Sequence, residues 1–348
     1  MNTLKIDAEA LIGARKQFCL DIGLPWEEYQ AHATQKVFIR KAVYREGTLK
    51  VNTEGARDYE RGNDFFHAII CLGQLFLVVD EQLYDWAVET FSDCSPEWFC
   101  EFSNLRMIDE KLKEYGHGIK DTHVYYLPEC RLTSGDALMP EVSGSVGKVI
   151  AGKKVASEDA GSMPVGEKVV SEDAPQYQWY DREEILKFKE NNRFTSAICF
   201  SGTQPDMLAV AAFKESVPEE NGHAAASEDG DRRCQKPELE CQKAAELECQ
   251  ERAELKCQNA AYWRFDQSRM AGMAGVSADG KYLWQIGINV IPEETGRGLA
   301  VRLVRMMKEK VLAEGKIPFY GTSESHTVSQ TVGLKAGFVP AWTEVYGK

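Results

Sequence analysis

The stretch from Tyr282 to Ala313 constrains this chain most, because it dictates a strand, a tight turn and a helix in immediate succession. Leu283-Trp284-Gln285-Ile286-Gly287-Ile288-Asn289-Val290-Ile291 alternates apolar with small or polar residues, the period of a sheet strand, and Pro292 ends it. Glu293-Glu294-Thr295-Gly296-Arg297-Gly298-Leu299-Ala300 then opens a helix. Its Leu299, Ala300, Leu303, Val304, Met307, Val311 and Leu312 share one face, with Arg302, Arg305, Lys308 and Glu309 elsewhere, and Gly315 is the expected stop.

A strand feeding a glycine turn that opens a helix is what a bound pyrophosphate requires. The first-turn N–H groups have no intrahelical partners, and the helix dipole favours an anion there. Glycines at 296 and 298 let phosphate oxygens approach the backbone. The turn resembles the acyl-CoA-binding turn of the GNAT acetyltransferases, whose pattern is Arg or Gln, two residues, Gly, one residue, then Gly or Ala. It aligns as Thr295, Gly296, Arg297, Gly298, Leu299 and Ala300. Thr295 stands where the family has Arg or Gln, which removes one long donor and leaves a hydroxyl able to cap the helix.

A length of 348 residues suggests two domains, and 43% apolar residues suffice for ordinary cores. The net charge of −13 argues against a nucleic-acid or anionic-membrane binder, although Arg297, Arg302 and Arg305 form a local basic spot. No run of about twenty apolar residues occurs, and Met1 to Ala8 carries no charged-then-apolar leader, so a cytoplasmic enzyme is expected. Of ten cysteines, Cys19, Cys71, Cys94, Cys100, Cys130 and Cys199 stand singly, with no Cys-x-x-Cys and no His at ligand spacing. They read as reduced, mostly buried thiols, and no metal is expected.

In the first half, Ala8 to Leu20 has a helical pattern, followed by Pro25-Trp26 and a polar stretch to about Arg40. Phe65 to Leu72 and Leu75 to Val79 are apolar runs separated by Gly73-Gln74, a tight hairpin. Gln82 to Phe91 and Pro96 to Tyr115 read as helices and Thr122 to Leu127 as a strand, making residues 1–130 a small α/β domain. His67 and His123 each lie in a strand, where a satisfied core or edge histidine is expected. The half is similar to the N-terminal unit of two-domain GNAT proteins of the zwittermicin-resistance type.

Residues 131–175 change character. Gly, Ser, Val and Lys dominate, Ala156 to Ala160 returns as Val170 to Ala174, and a disordered low-complexity linker is expected because so little apolar surface offsets the ordering entropy. A second insertion, 214–269, holds octads such as Glu238-Leu239-Glu240-Cys241-Gln242 and Glu246-Leu247-Glu248-Cys249-Gln250. Residues eight apart on a helix lie about 12 Å apart, too far for a shared zinc. The insertion is expected to be a solvent-exposed helix, dispensable for chemistry.

With the insertions set aside, residues 176–348 read strand, helix, strand, strand, strand, helix, strand, helix, strand. The fold class is therefore α/β. Lys316 to Thr322 follows the glycine-turn helix, Thr327 to Ala336 is the next helix, and Gly337-Phe338 opens the last strand. That order, with the Gly-Phe ending, resembles the GNAT fold, a mixed, mostly antiparallel splayed sheet flanked by helices.

The resemblance implies direct acetyl transfer from acetyl-CoA to the amine of a small molecule, in a monomer or homodimer. The acidic balance favours a cationic acceptor such as an amino sugar, polyamine or amino-acid-like antibiotic, with a protein amine as the open alternative. It implies pantetheine contacts along Ile288, Asn289 and Val290, where the strand splays from its neighbour, with Gln285 and Asn289 able to order waters. Counting back from Gly337, the family's helix-start Asn falls on His326 and its proton-donating Tyr on Gly333, which can donate nothing. His326 is thus a candidate acid or pantetheine contact, Tyr320 a second candidate acid, and Glu324 a candidate general base. The rival expectation, favoured by Thr295 and Gly333, is a degenerate GNAT that binds acyl-CoA without turnover, as a sensor or interaction module.

Overall fold

The structure, a computed structural model, describes residues 5–42, 54–57, 65–130, 176–214 and 264–348. The expected linker up to residue 175 and the octad repeats lie outside them. The elements are α1 (Ala8–Asp21), α2 (Trp26–Ala31), β1 (Val37–Lys41), β2 (Phe66–Cys71), β3 (Gln74–Val79), α3 (Glu81–Phe91), α4 (Phe102–Lys113) and β4 (Ile119–Pro128). After them come β5 (Tyr177–Asp181), α5 (Arg182–Ile185), β6 (Asp206–Phe213), β7 (Met270–Ala278), β8 (Leu283–Val290), α6 (Leu299–Ala313), β9 (Ile317–Thr322), α7 (Thr327–Lys335) and β10 (Phe338–Gly347).

Local chemistry accounts for the boundaries. Asp7 caps α1 by accepting from the Ala10 N–H at 2.9 Å. The β2–β3 turn uses Leu72 and Gly73, both at positive φ (46° and 78°), the two-residue geometry whose twist suits a hairpin. It lies one residue earlier than Gly73-Gln74. Gln74 belongs to β3 because its buried amide is fully used, accepting from the Tyr29 hydroxyl and donating to the carbonyls of Ala33 and Gln35. The polar stretch before Arg40 resolves into α2 and the edge strand β1, which runs parallel to β3.

Among the described residues the strands form one ten-stranded sheet in the order β1-β3-β2-β10-β4-β9-β8-β7-β6-β5, so the mixed α/β class is as expected. The sequence order of the second half is also the observed order of its elements. The two halves exchange their last strands. β10 lies between β2 and β4 and is antiparallel to both, while β4 reaches past it to pair with β9. The described residues on either side of the 131–174 segment therefore form one compact unit, and the boundary at 130 divides stretches of chain that share one sheet.

A buried polar cluster pins the exchanged strand. Glu344 of β10 is fully buried. It pairs with Arg57 at 2.6 Å, contacts His67 Nε2 at 3.1 Å, and accepts from Trp342 Nε1 at 2.6 Å and from the Tyr346 hydroxyl. Arg57 also pairs with Asp21 of α1 at 2.7 Å. Burial alone would raise the Glu344 carboxyl, but the Arg57 guanidinium and the His67 ring hold it well below the usual carboxylate range.

Helices cover both faces of the sheet. α3 and α4 close one face over β2 and β3, and α6 closes the same side of the second half with Leu303, Val304, Met307 and Val311 against Val210, Ala274, Ile286 and Tyr320. On the opposite face, Phe18 of α1 packs on Phe76 and Trp342, and the segment from Ile185 to Ile198 packs on β6 and β7. Lys308, read as a polar-face residue, is buried because its ammonium donates to the carbonyls of Ala336 and Gly337 at the end of α7.

Candidate functional site

The sheet opens at one place. β8 and β9 are parallel and pair from Leu283↔Ile317 to Ile286↔Tyr320, where the pairing stops. Beyond that point β9 pairs with β4, through Gly321↔Tyr125 and Thr322↔Val124. β8 runs on as Gly287 to Val290 against β7 alone. Among the described residues its other edge has no strand partner there, and a cleft enters the sheet.

The glycine turn stands just past the open end of β8. Gly296 and Gly298 have φ of 80° and 76°, and an ideal Cβ on either would meet nothing within 4 Å, so the space above the turn is open. Gly298 precedes Leu299, the first residue of α6, and the helix has no side-chain cap. The Thr295 hydroxyl, expected to cap it, donates instead to the Pro292 carbonyl at 2.7 Å. The first-turn N–H groups thus have no side-chain partner at the positive end of a 15-residue helix. Arg297 is exposed and pairs with Glu294 at 2.9 Å, while Arg302 and Arg305 are engaged by the Tyr177 hydroxyl and the Lys335 carbonyl.

One wall rests on two glycines. Gly275 of β7 and Gly287 of β8 face each other across the strands. An ideal Cβ on Gly275 would sit 2.1 Å from the Ala197 carbonyl oxygen, and one on Gly287 would sit 2.1 Å from that of Ser196. The segment carrying Ser196 and Ala197 therefore lies directly on the strand backbones. Asn289, expected along the pantetheine edge, accepts from the Ser196 N–H at 2.6 Å and holds that segment down. Asp206 fixes its far end by accepting from the N–H groups of Cys199 and Phe200. Phe194 to Phe200 takes neither helix nor strand, and these side-chain bonds satisfy part of its backbone instead.

The cleft has a volume of about 600 Å³. His123, Tyr125, Gln285 and Gly321 line it on the α1 face with Ser196, Ser201 and Gln204, and Ile286, Ile288, Tyr320 and Ser329 line it on the α6 face, with His326. Tyr320 is 2% exposed, and its hydroxyl lies 2.7 Å from Ser329 Oγ of α7. Burial pushes its phenol up, the Ser329 hydrogen bond lowers it less, and Tyr126 adds to the rise, so it holds its proton through neutral pH. An ideal Cβ on Gly333 would lie 3.0 Å from the Tyr320 ring, so the missing helix side chain makes room for this phenol.

Of the sequence candidates, Ile288, Tyr320 and His326 come together in the cleft, with Gln285. His326 begins α7 and makes no side-chain cap bond. Glu324 is exposed and is not among the lining residues; it lies in the β9–α7 loop, where its charge adds to the rise that burial chiefly gives the Cys100 thiol. Val290 pairs with Gly272 of β7, and Thr295, Arg297, Leu299 and Ala300 surround the turn beyond the cleft. His67 is the satisfied core histidine expected, whereas His123 lines the cleft. Pattern reading missed Tyr125, Ser196, Ser201, Gln204 and Ser329, which carry no motif. The cysteines were expected mostly buried; Cys19 and Cys71 are, with thiols pushed up to about 12 chiefly by burial, but Cys130 and Cys199 are exposed. Among the described residues no cluster of His, Cys, Asp or Glu could hold a metal, and no helix is long and apolar enough to cross a membrane.

No protein-family model and no curated protein sequence matches the chain. Among solved structures it is similar to a protein from Novosphingobium aromaticivorans assigned to the GNAT acetyltransferases, at 29% identity over 23% of this chain and 37% of that one, with a TM-score of 0.21. It is also similar to a GNAT-family acetyltransferase from Colwellia psychrerythraea, at 11% identity over 98% of this chain and 97% of that one, with a TM-score of 0.30.

Proposed function

We propose that this chain is a GNAT-type N-acetyltransferase that moves an acetyl group from acetyl-CoA to the amine of a small molecule in a direct ternary complex. The observation that carries the reading is the end of β8–β9 pairing at Ile286↔Tyr320, immediately before an unobstructed glycine turn at the start of α6. The two features suit one elongated ligand. The turn from Thr295 to Ala300 would hold a pyrophosphate through backbone N–H groups. The unpaired edge from Gly287 to Val290 would take the amides of a pantetheine arm as a strand would.

The cosubstrate supplies a thioester whose carbonyl must be polarised and whose sulfur leaves as thiolate. The free edge of β8 offers backbone N–H donors for the carbonyl oxygen. Tyr320, buried and protonated, would give its proton to the departing sulfur, the acid role that Gly333 cannot fill. His326, at the mouth of the cleft beside α7, is suited to contact the arm. The test mixes purified protein, acetyl-CoA and an amine panel and follows free thiol. Amine-dependent thiol release is expected. Acetyl-CoA binding without thiol release above background would instead support the degenerate, binding-only module.

A further inference from the structure

The acceptor side of the cleft lacks an assigned base, since Glu324 lies outside the lining. We infer that His123, supplied by β4 from the first half of the chain, is the group that takes the proton from the acceptor amine. The inference rests on the acetyltransferase reading. His123 lines the cleft on the face opposite Tyr320, two residues from Tyr125 on the same side of β4, with the two rings 6.1 Å apart. The rest of that wall, Ser196, Ser201, Gln204 and Gln285, is neutral, and imidazole is the side chain that exchanges a proton near neutral pH.

The contrast with His67 separates this ring from a structural histidine. Glu344 stands directly across from His123 on β10, but its carboxylate is already engaged by Arg57, His67, Trp342 and Tyr346. His123 Nδ1 is enclosed and has no hydrogen-bond partner among the described residues, whereas a core histidine is ordinarily satisfied. With the ring proton on Nδ1, Nε2 keeps its lone pair for the cleft. Nε2 takes a proton from the bound ammonium, which frees the nitrogen lone pair to attack the thioester carbonyl. As the carbon–sulfur bond breaks, Tyr320 gives its proton to the sulfur, and its phenolate recovers one through water from the nitrogen as the amide forms. The products are an amide and a free thiol, and the imidazolium returns its proton to solvent. The first half of the chain thereby gains a chemical role, because without β4 the wall opposite Tyr320 and His326 keeps only Ser196, Ser201, Gln204 and Gln285, none of which can take a proton.

The titratable groups facing the ring are Asp121 and Tyr125 on β4 and Glu344 and Tyr346 on β10, with Tyr320 across the opening; the described lining of β8 and of residues 196–204 is neutral. The experiment uses the full chain with His123→Gln, His123→Ala and, as control, the exposed His32→Gln. Acetyl-CoA binding is measured by calorimetry, and thiol release with glucosamine, spermidine and tryptamine is followed from pH 6.5 to 9.5. Both His123 variants are expected to bind acetyl-CoA like the parent but to release thiol about 10²-fold more slowly at pH 7. The deficit should shrink above pH 9, where amines shed their own protons, and added imidazole should partly rescue His123→Ala. A folded His123→Gln with parental rates, or with an equal loss at every pH, overturns the base assignment and leaves the acetyltransferase reading standing. Parent protein that binds acetyl-CoA but releases thiol with none of the three amines overturns both.

Discussion

Gly287→Ala tests how one wall of the cleft is built. The added methyl would lie 2.1 Å from the Ser196 carbonyl oxygen, and ordinary contact begins at 3.4 Å, so the segment must retreat by about 1.3 Å. The opposing atoms are backbone, and no side-chain rotation relieves the clash. That retreat breaks the 2.6 Å bond from the Ser196 N–H to Asn289. Overpacking costs about 1–3 kcal/mol and the lost hydrogen bond about 1, giving about 3 kcal/mol in all. The midpoint of thermal unfolding should fall by roughly 6–12 °C. Urea denaturation followed by circular dichroism measures the free energy directly. Gly275→Ala drives the same segment off through the Ala197 carbonyl, so one displacement relieves both clashes and the double variant should cost clearly less than the sum. Strict additivity, or a loss below about 0.5 kcal/mol for Gly287→Ala, would refute the claim that this segment lies on the strand backbones.

Gly298→Glu should abolish acetyl-CoA binding measured by calorimetry while leaving the unfolding midpoint lowered only modestly, because the residue faces open space but sits at φ of 76°. Tyr320→Phe, lacking the proton for the leaving sulfur, should slow thiol release about 10²-fold with cosubstrate affinity unchanged, and losing the Ser329 bond should cost about 1 kcal/mol by denaturation. Glu344→Gln should destabilise the fold by about 3 kcal/mol, because it leaves the Arg57 guanidinium buried with one carboxylate fewer. The Glu344 carboxyl is depressed in the folded state, so its contribution is complete above its ordinary value of 4.5 and is lost as pH falls below it. Denaturation midpoints taken from pH 7 to 3 should therefore fall less steeply in Glu344→Gln than in the parent.

Much of the frame was legible in the chain because it depends on neighbours in sequence. The alternation of Leu283 to Ile291, the stop at Pro292, the paired glycines and the amphipathic run after Leu299 are local signals, and they correspond to β8, the open turn and α6. The order of elements in the second half was legible for the same reason. Ile288, Tyr320 and His326, candidates because of their places in that order, do line the cleft.

What only the tertiary structure decided is which distant residues share a space. Nothing local shows that β4 lies between β9 and β10, since strand exchange depends on pairing energies between segments about two hundred residues apart. His123 and His67 look alike in sequence, two histidines in apolar strands, and differ because Glu344 is used up by one and not by the other. Gly287 reads as a break in a strand until the Ser196 carbonyl is found against it. By itself the sequence determined the strand, the glycine turn and the helix, which follow from neighbours along the chain; the fold determined the rest of the cleft, where side chains from several strands converge.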